Sequence, residues 1–419
     1  MITFAPIPEL DILLAKRDVK KAEVLITRYL RSADQSAERA QALIARSRIR
    51  LIAGRLDDAL EDLKQAQMLA AEIAEIPPVL ELLGDCHFAR FELAPVGFAD
   101  RADTAAALTA YQDIQKLYPE YENLGWVYYQ LGRVMLTENQ VSFAIEYFQD
   151  ALLSASNNPA LTAYCYERLG FVYFYELREL SRAFAFLNKA IDTYPDNEPR
   201  HWLAQVHTLR SRVLRDLARF PEALAAADLA VSISTAAGVE GRIGLADASL
   251  AAAELAAQIG GSDKEVIAYL NLFLQHSRKP LGIDVTWSRA HELLGDAQWR
   301  TGQPQPALTS YQAALEYNPY HPWEISLYYR IARCYYQLGE FAKAIQQLEK
   351  MLDIARKDGE IISDFRVLQL LANAYFTVRE YEKAAFTYQL ALELVPAETD
   401  HVSELAHYMH LARNYGKNI

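Results

Sequence analysis

Three times in its last third, the chain sets a small residue twelve positions ahead of an alanine: Gly295 before Ala307, Ala332 before Ala344, and Ala372 before Ala384. The surroundings are alike each time. The stretches "HELLGDAQWRTGQPQPALTSYQAALEYNP", "YYRIARCYYQLGEFAKAIQQLEKML" and "LQLLANAYFTVREYEKAAFTYQLALELVP" each read as an apolar segment of helical period, a short turn, and a second such segment. Two antiparallel helices approach closely only where both carry small side chains at the crossing. Leu294, Tyr311, Tyr335, Leu348, Leu371, Tyr375 and Tyr388 are the large side chains placed to fill the spaces beside it. Gly302 and Gly339 fall at the turns, where a positive φ is cheap for glycine. Pro319 and Pro396 fall where the second helix must stop.

This pattern resembles the tetratricopeptide repeat, a helix pair with a period of about 34 residues. Ser288 to His321 carries Leu294, Gly295, Gly302, Ala307, Tyr311, Ala314 and Pro319 at family positions, and departs from the family at His291, where it favours Trp, and at Gln298, where it favours Tyr. Earlier copies follow the same template. Leu83, Gly84, Ala107, Tyr111 and Pro119 fit if "ELAPVGFADRA" is an insertion between the two helices. Leu131, Gly132, Ala144, Phe148 and Ala151 come next, then Leu169, Gly170, Tyr173, Ala183, Leu187, Ala190 and Pro195. Phe220, Ala223 and Ala230 mark another copy, Ala268, Leu272 and Pro280 a weak one, and Gly54, Ala59, Leu63 and Ala66 one near the start. A degenerate first copy centres on Ala22. The resemblance implies an all-α, right-handed solenoid of about ten antiparallel helix pairs, closed by a capping helix from about Val402 to Asn414. Glycines between Gly238 and Gly261 suggest a division into subarrays at 1–240 and 241–401, with the cap and tail at 402–419 and the insertion near 93–103.

Composition agrees with helix: of 419 residues 52% are hydrophobic, with only 17 Gly and 16 Pro. The net charge of −12 argues against whole-molecule attraction to nucleic acid or anionic membrane. Between Lys16 and Arg55, however, eleven basic residues face only Asp18, Glu23, Asp34 and Glu38. Charge runs of this kind read first as a solvated helical face. The three cysteines, Cys86, Cys165 and Cys334, form no pair motif, which suits a reducing compartment, and Cys86 and Cys334 read as small buried fillers. The amino terminus lacks the features of a signal peptide and no apolar run reaches membrane-spanning length, so a cytoplasmic setting is expected.

In a stacked solenoid the first helix of each pair lines the concave surface. The template points Glu81, Asp85 and Phe88 into it, followed by Tyr129 and Arg133, then Glu167, Phe171, Phe174 and Tyr175, and Arg212 with Arg215. Further along come Glu292, Asp296 and Trp299, then Tyr329, Arg333 and Tyr336, and finally Gln369, Asn373 and Phe376. Exposed Tyr, Trp and Arg are common anchors of protein interfaces. The pentapeptide Glu-Leu-Leu-Gly-Asp occurs at 81–85 and again at 292–296. Its acids are expected to form two acidic stations on the groove, suited to basic side chains of a partner.

Chemistry-bearing motifs are sparse. No glycine-rich phosphate loop, nucleophile elbow or Cys-x-x-Cys is present. His401, Glu404, His407 and His410 recur at three-residue spacing and could ligate Zn²⁺ or iron, but no second cluster would complete the shell, so no metal or cofactor is expected. The Lys/Asn set with which some tetratricopeptide arrays hold a peptide carboxylate is missing, Asn373 being the only Asn so placed. The expected function is a non-catalytic scaffold binding one or more proteins or peptide segments on the concave surface. Two alternatives stay open: a regulatory or inhibitory subunit of a larger bacterial-type enzyme or defence complex, and a nucleic-acid-associated adaptor using the basic amino-terminal repeats.

Overall fold

The computed structural model describes residues 7–15, 18–70, 76–95, 98–155, 158–196, 200–238, 241–320, 324–360, 362–396 and 401–417. Among these residues the chain is all helix, without a strand. In chain order the helices are α1 (Pro8–Ala15), α2 (Val19–Ser32), α3 (Ser36–Ile52), α4 (Leu56–Ala70), α5 (Ile76–Leu93), α6 (Arg101–Leu117), α7 (Leu124–Thr137), α8 (Val141–Ser154), α9 (Pro159–Tyr175) and α10 (Leu180–Thr193). They continue as α11 (His201–Asp216), α12 (Phe220–Ala236), α13 (Arg242–Gln258), α14 (Asp263–His276), α15 (Val285–Arg300), α16 (Pro304–Tyr317), α17 (Glu324–Gln337), α18 (Phe341–Asp358), α19 (Phe365–Thr377), α20 (Tyr381–Leu394) and α21 (His401–Gly416). Odd and even helices pair along the chain, and α21 packs on α20 as the expected cap. The insertion lengthens α5 to Leu93 and adds a loop before α6.

By packing, the chain divides into two compact units, Met1–Glu198 and Pro199–Ile419, whereas glycine content had pointed to a division at 240. The α12–α13 joint lies inside the second unit, where the two helices pack on each other. Within each unit, first helices also touch across successive pairs: α3 with α5, α5 with α7, α7 with α9, and in the second unit α11 with α13, α13 with α15, and α17 with α19. Second helices make no comparable contact with one another among the described residues. First helices therefore sit closer together than second helices, which puts them on the inner side of the local curvature.

The turn inside most pairs is built the same way. In the pair α15–α16, Gly302 has φ +76°, its N–H donates to the Trp299 carbonyl (3.0 Å), and the next N–H, of Gln303, reaches back to Gln298 (2.9 Å). This is a Schellman closure, which satisfies the last helical carbonyls. It recurs at Gly54, Gly260 and Gly339, but also at Asn139, Ala218 and Arg379, which take the same left-handed conformation without being glycine. Aspartates start several helices: Asp284 Oδ1 accepts from the Trp287 N–H (2.9 Å), and Asp100 and Asp364 do likewise at α6 and α19.

Small residues at the crossings admit large ones from the partner helix. Tyr111, Tyr311, Tyr388 and Phe148 are almost wholly buried, each worth roughly 2–3 kcal/mol of transfer free energy. A Cβ added to Gly84 would stand 2.5 Å from the Tyr111 ring, and one on Gly295 would stand 2.6 Å from Tyr311. Gly132 stands in the same relation to Phe148, and Gly170 to Leu187.

Candidate functional site: the first-helix face

The repeated pentapeptide is a packing device. Once a tyrosine ring is seated against the glycine, its hydroxyl is buried and needs a partner. The following aspartate supplies it: Tyr111 donates to Asp85 Oδ1 (2.6 Å) and Tyr311 to Asp296 Oδ1 (2.8 Å). Asn373, one place after Ala372, accepts from Tyr388 in the same way (2.5 Å).

The glutamates of the two copies meet different fates. Glu81 is buried and accepts from the Tyr121 hydroxyl (2.5 Å) and Asn123 (3.3 Å), while Asp85 also accepts from Gln130 (2.8 Å). Among the described residues no guanidinium pairs with either group, and burial, helped by the charge of Asp85, pushes the Glu81 carboxyl up to about 7. Burial also raises the Asp85 carboxyl, against the hydrogen bonds from Tyr111 and Gln130. Glu292 is buried too, but it pairs with Arg289 (2.6 Å) and Arg330 (3.1 Å), and Arg330 also reaches Asp296 (2.7 Å). Gln130 and Arg330 both stand two places before the small residue of the next first helix, Gly132 and Ala332. Arg289, six places before Gly295, likewise has Pro78 as its counterpart before Gly84, so both guanidiniums that pair the second copy are missing from the first. The two glutamates are buried and all four acids have partners within the fold, while Asp85 and Asp296 stay half-buried.

The rings and guanidiniums of this face form a second recurring element. Arg133 on α7 lies over Phe88 of α5 (4.8 Å) and Tyr129 (5.9 Å). Arg333 on α17 lies over Trp299 of α15 (4.5 Å) and Tyr329 (5.7 Å). Each stack takes an aromatic four places after one small residue, and an arginine one place after the next.

Other expected groove residues divide by burial. Phe88, Tyr129, Glu167 and Phe174 are buried, and Glu167 pairs with Arg168 (2.5 Å), which covers Phe171 (5.1 Å). Phe171 also packs on Tyr175 (4.7 Å). Phe376 is taken up by Tyr381, Tyr408 and Tyr415, beneath the cap α21. Arg212, Trp299, Tyr329, Arg333, Tyr336, Gln369 and Asn373 are half-buried. Arg215 pairs with Asp216 (3.1 Å) and Glu254 (3.5 Å), and lines a cleft of about 630 Å³ with Ala257, Arg289, Asp296 and Arg300. Arg330, Arg289, Arg168 and Gln130 were not singled out from sequence, although alignment of the repeats puts Gln130, Arg168 and Arg330 at one position.

Two family models described as tetratricopeptide repeat match the chain, over residues 288–357 and 365–398. Residues 288–357 and 365–398 are tetratricopeptide repeats. The same fold is seen in the apo form of RapI, with a TM-score of 0.53 at 13% identity over 90% of this chain and 98% of that one. The C-terminal part of a tetratricopeptide-repeat protein from Cytophaga hutchinsonii is 18% identical, with a TM-score of 0.43 and coverage of 66% and 98%. PilF of Pseudomonas aeruginosa is 16% identical, with a TM-score of 0.45 and coverage of 59% and 94%. No curated protein matches the sequence.

The remaining candidate residues lie elsewhere in the chain. His401, Glu404, His407 and His410 are exposed on α21, and no group of three metal-ligating side chains gathers among the described residues. The three cysteines are buried and unpaired, and burial pushes each thiol up to about 12. Of the amino-terminal basic residues, Lys16 and Arg17 lie outside the described residues. Arg46 pairs with the buried Asp62 (2.6 Å), Arg50 with Asp62 (2.8 Å) and Glu23 (3.2 Å), and Arg55 with Glu23. Part of that charge is therefore spent inside the fold. No helix among the described residues is long and apolar enough to cross a membrane.

Proposed function

We propose that the protein is a non-catalytic scaffold that holds segments of one or more partner proteins along the inner, first-helix face of its repeats. The observation that carries this reading is the alignment of half-buried Trp299, Tyr329, Arg333, Tyr336 and Gln369 on α15, α17 and α19. Rings and guanidiniums held rigidly by their neighbours lose little freedom on binding, which is what interface anchors require. A cytoplasmic setting is part of the proposal, supported by three separate buried thiols.

The test is a photo-reactive amino acid placed at Gln369, on a first helix, or at Thr309, which is exposed on a second helix. In cells of the native source, adducts to a partner protein are expected from position 369 and not from 309. Adducts from 309 alone would overturn the reading.

A further inference from the structure

The two arginine–aromatic stacks are the same construction with one difference. In the first unit the guanidinium of Arg133 is completed by a carboxylate, Glu92 (2.5 Å), and by the side-chain oxygen of Gln130 (2.8 Å). Glu92 stands eight places after Gly84, and it is available because α5 runs on to Leu93. The residue eight places after Gly295 is Gln303, but there α15 has ended at Arg300 and the chain has turned away at Gly302. Arg333 consequently has no ion pair or hydrogen bond among the described residues. Around it, Arg289 and Arg330 are matched by Glu292 and Asp296, so among the described residues Arg333 is the unmatched cation of this patch.

We propose that Arg333, held between Trp299 and Tyr329, receives an aspartate or glutamate side chain of the bound segment, in the place that Glu92 takes in the equivalent stack. This rests on the first-helix face being the binding surface. A guanidinium fixed over aromatic faces keeps its edge free for a bidentate carboxylate, and its orientation is set before binding. The occupant is a side chain rather than a chain terminus, because the internal stand-in is a glutamate within a helix.

The probe is a library of random segments flanked on both sides by neutral linkers, so that side chains supply the only carboxylates. It is selected on the full-length protein, and bound members are mapped by cross-linking from position 369. Acidic residues are expected to be enriched. Neutralising the selected acid should weaken binding roughly tenfold or more, Arg333→Gln should do the same, and the two changes together should cost little more than either alone. Segments that cross-link from 369 without any acidic preference, or with additive losses, would overturn this inference and leave the binding face standing. A library yielding no segment that cross-links from 369 would overturn both. The changes made in the segment decide the matter even if the Arg333 variant folds poorly, and Arg333→Lys is expected to give an intermediate loss.

Discussion

The Tyr111 hydroxyl donates to Asp85 while the Tyr111 ring fills the space left by Gly84, one residue earlier. A single dipeptide thus makes room for a large side chain and satisfies its polar end. Gly84→Ala and Gly295→Ala should each destabilise the fold by about 1–3 kcal/mol, the usual cost of overpacking. Tyr111→Phe should cost about 1 kcal/mol, since Asp85 keeps Gln130. Thermal melting of the three variants checks this. An unchanged melting point for both glycine variants would contradict the packing.

The buried Glu81 carboxyl gives a pH dependence. Its folded value of about 7 stands above the usual 4.5, so the folded state holds the proton more tightly than the unfolded state. Its contribution is full below about pH 4.5 and is lost as pH rises through 7. At roughly 1.4 kcal/mol per pKa unit, the loss is about 3 kcal/mol. Glu81→Gln should therefore melt higher than wild type at pH 8 and close to it at pH 5. Glu292→Gln should melt lower at pH 8, because it leaves the guanidiniums of Arg289 and Arg330 underpaired.

The intra-pair turns offer a stabilising change. Ala218 and Arg379 hold φ of +58° and +67°, a conformation that costs a residue with a Cβ about 1 kcal/mol or more. Ala218→Gly and Arg379→Gly are expected to raise the melting point, and Gly302→Ala to lower it.

Much of this architecture is legible in one sequence. The pairing of Gly295 with Ala307 and Tyr311, the turn glycines, the stop prolines and the capping helix all depend on spacings inside one repeat. Contacts between repeats are less legible. Glu81 and Glu292 sit on the side of their helices that was read as groove, but the same side also meets the next first helix. How an acid there is satisfied depends on a residue about 40 positions away, Tyr121 in one copy and Arg330 in the other. Phe376 likewise shares the groove spacing and is covered only because α21 folds back over it.

The thiols should be inert in the folded protein. Cys86, Cys165 and Cys334 are buried, and their high pKa leaves almost no thiolate at pH 8. An alkylating reagent at that pH is expected to label none of them until denaturant is added. Rapid labelling of any one in the native protein would contradict its placement.

The most direct test of the central claim is hydrogen exchange of the full-length protein with and without a captured partner. Partner binding should slow exchange in α15, α17 and α19 and leave α16, α18 and α20 unchanged. Protection confined to the second helices would contradict the account.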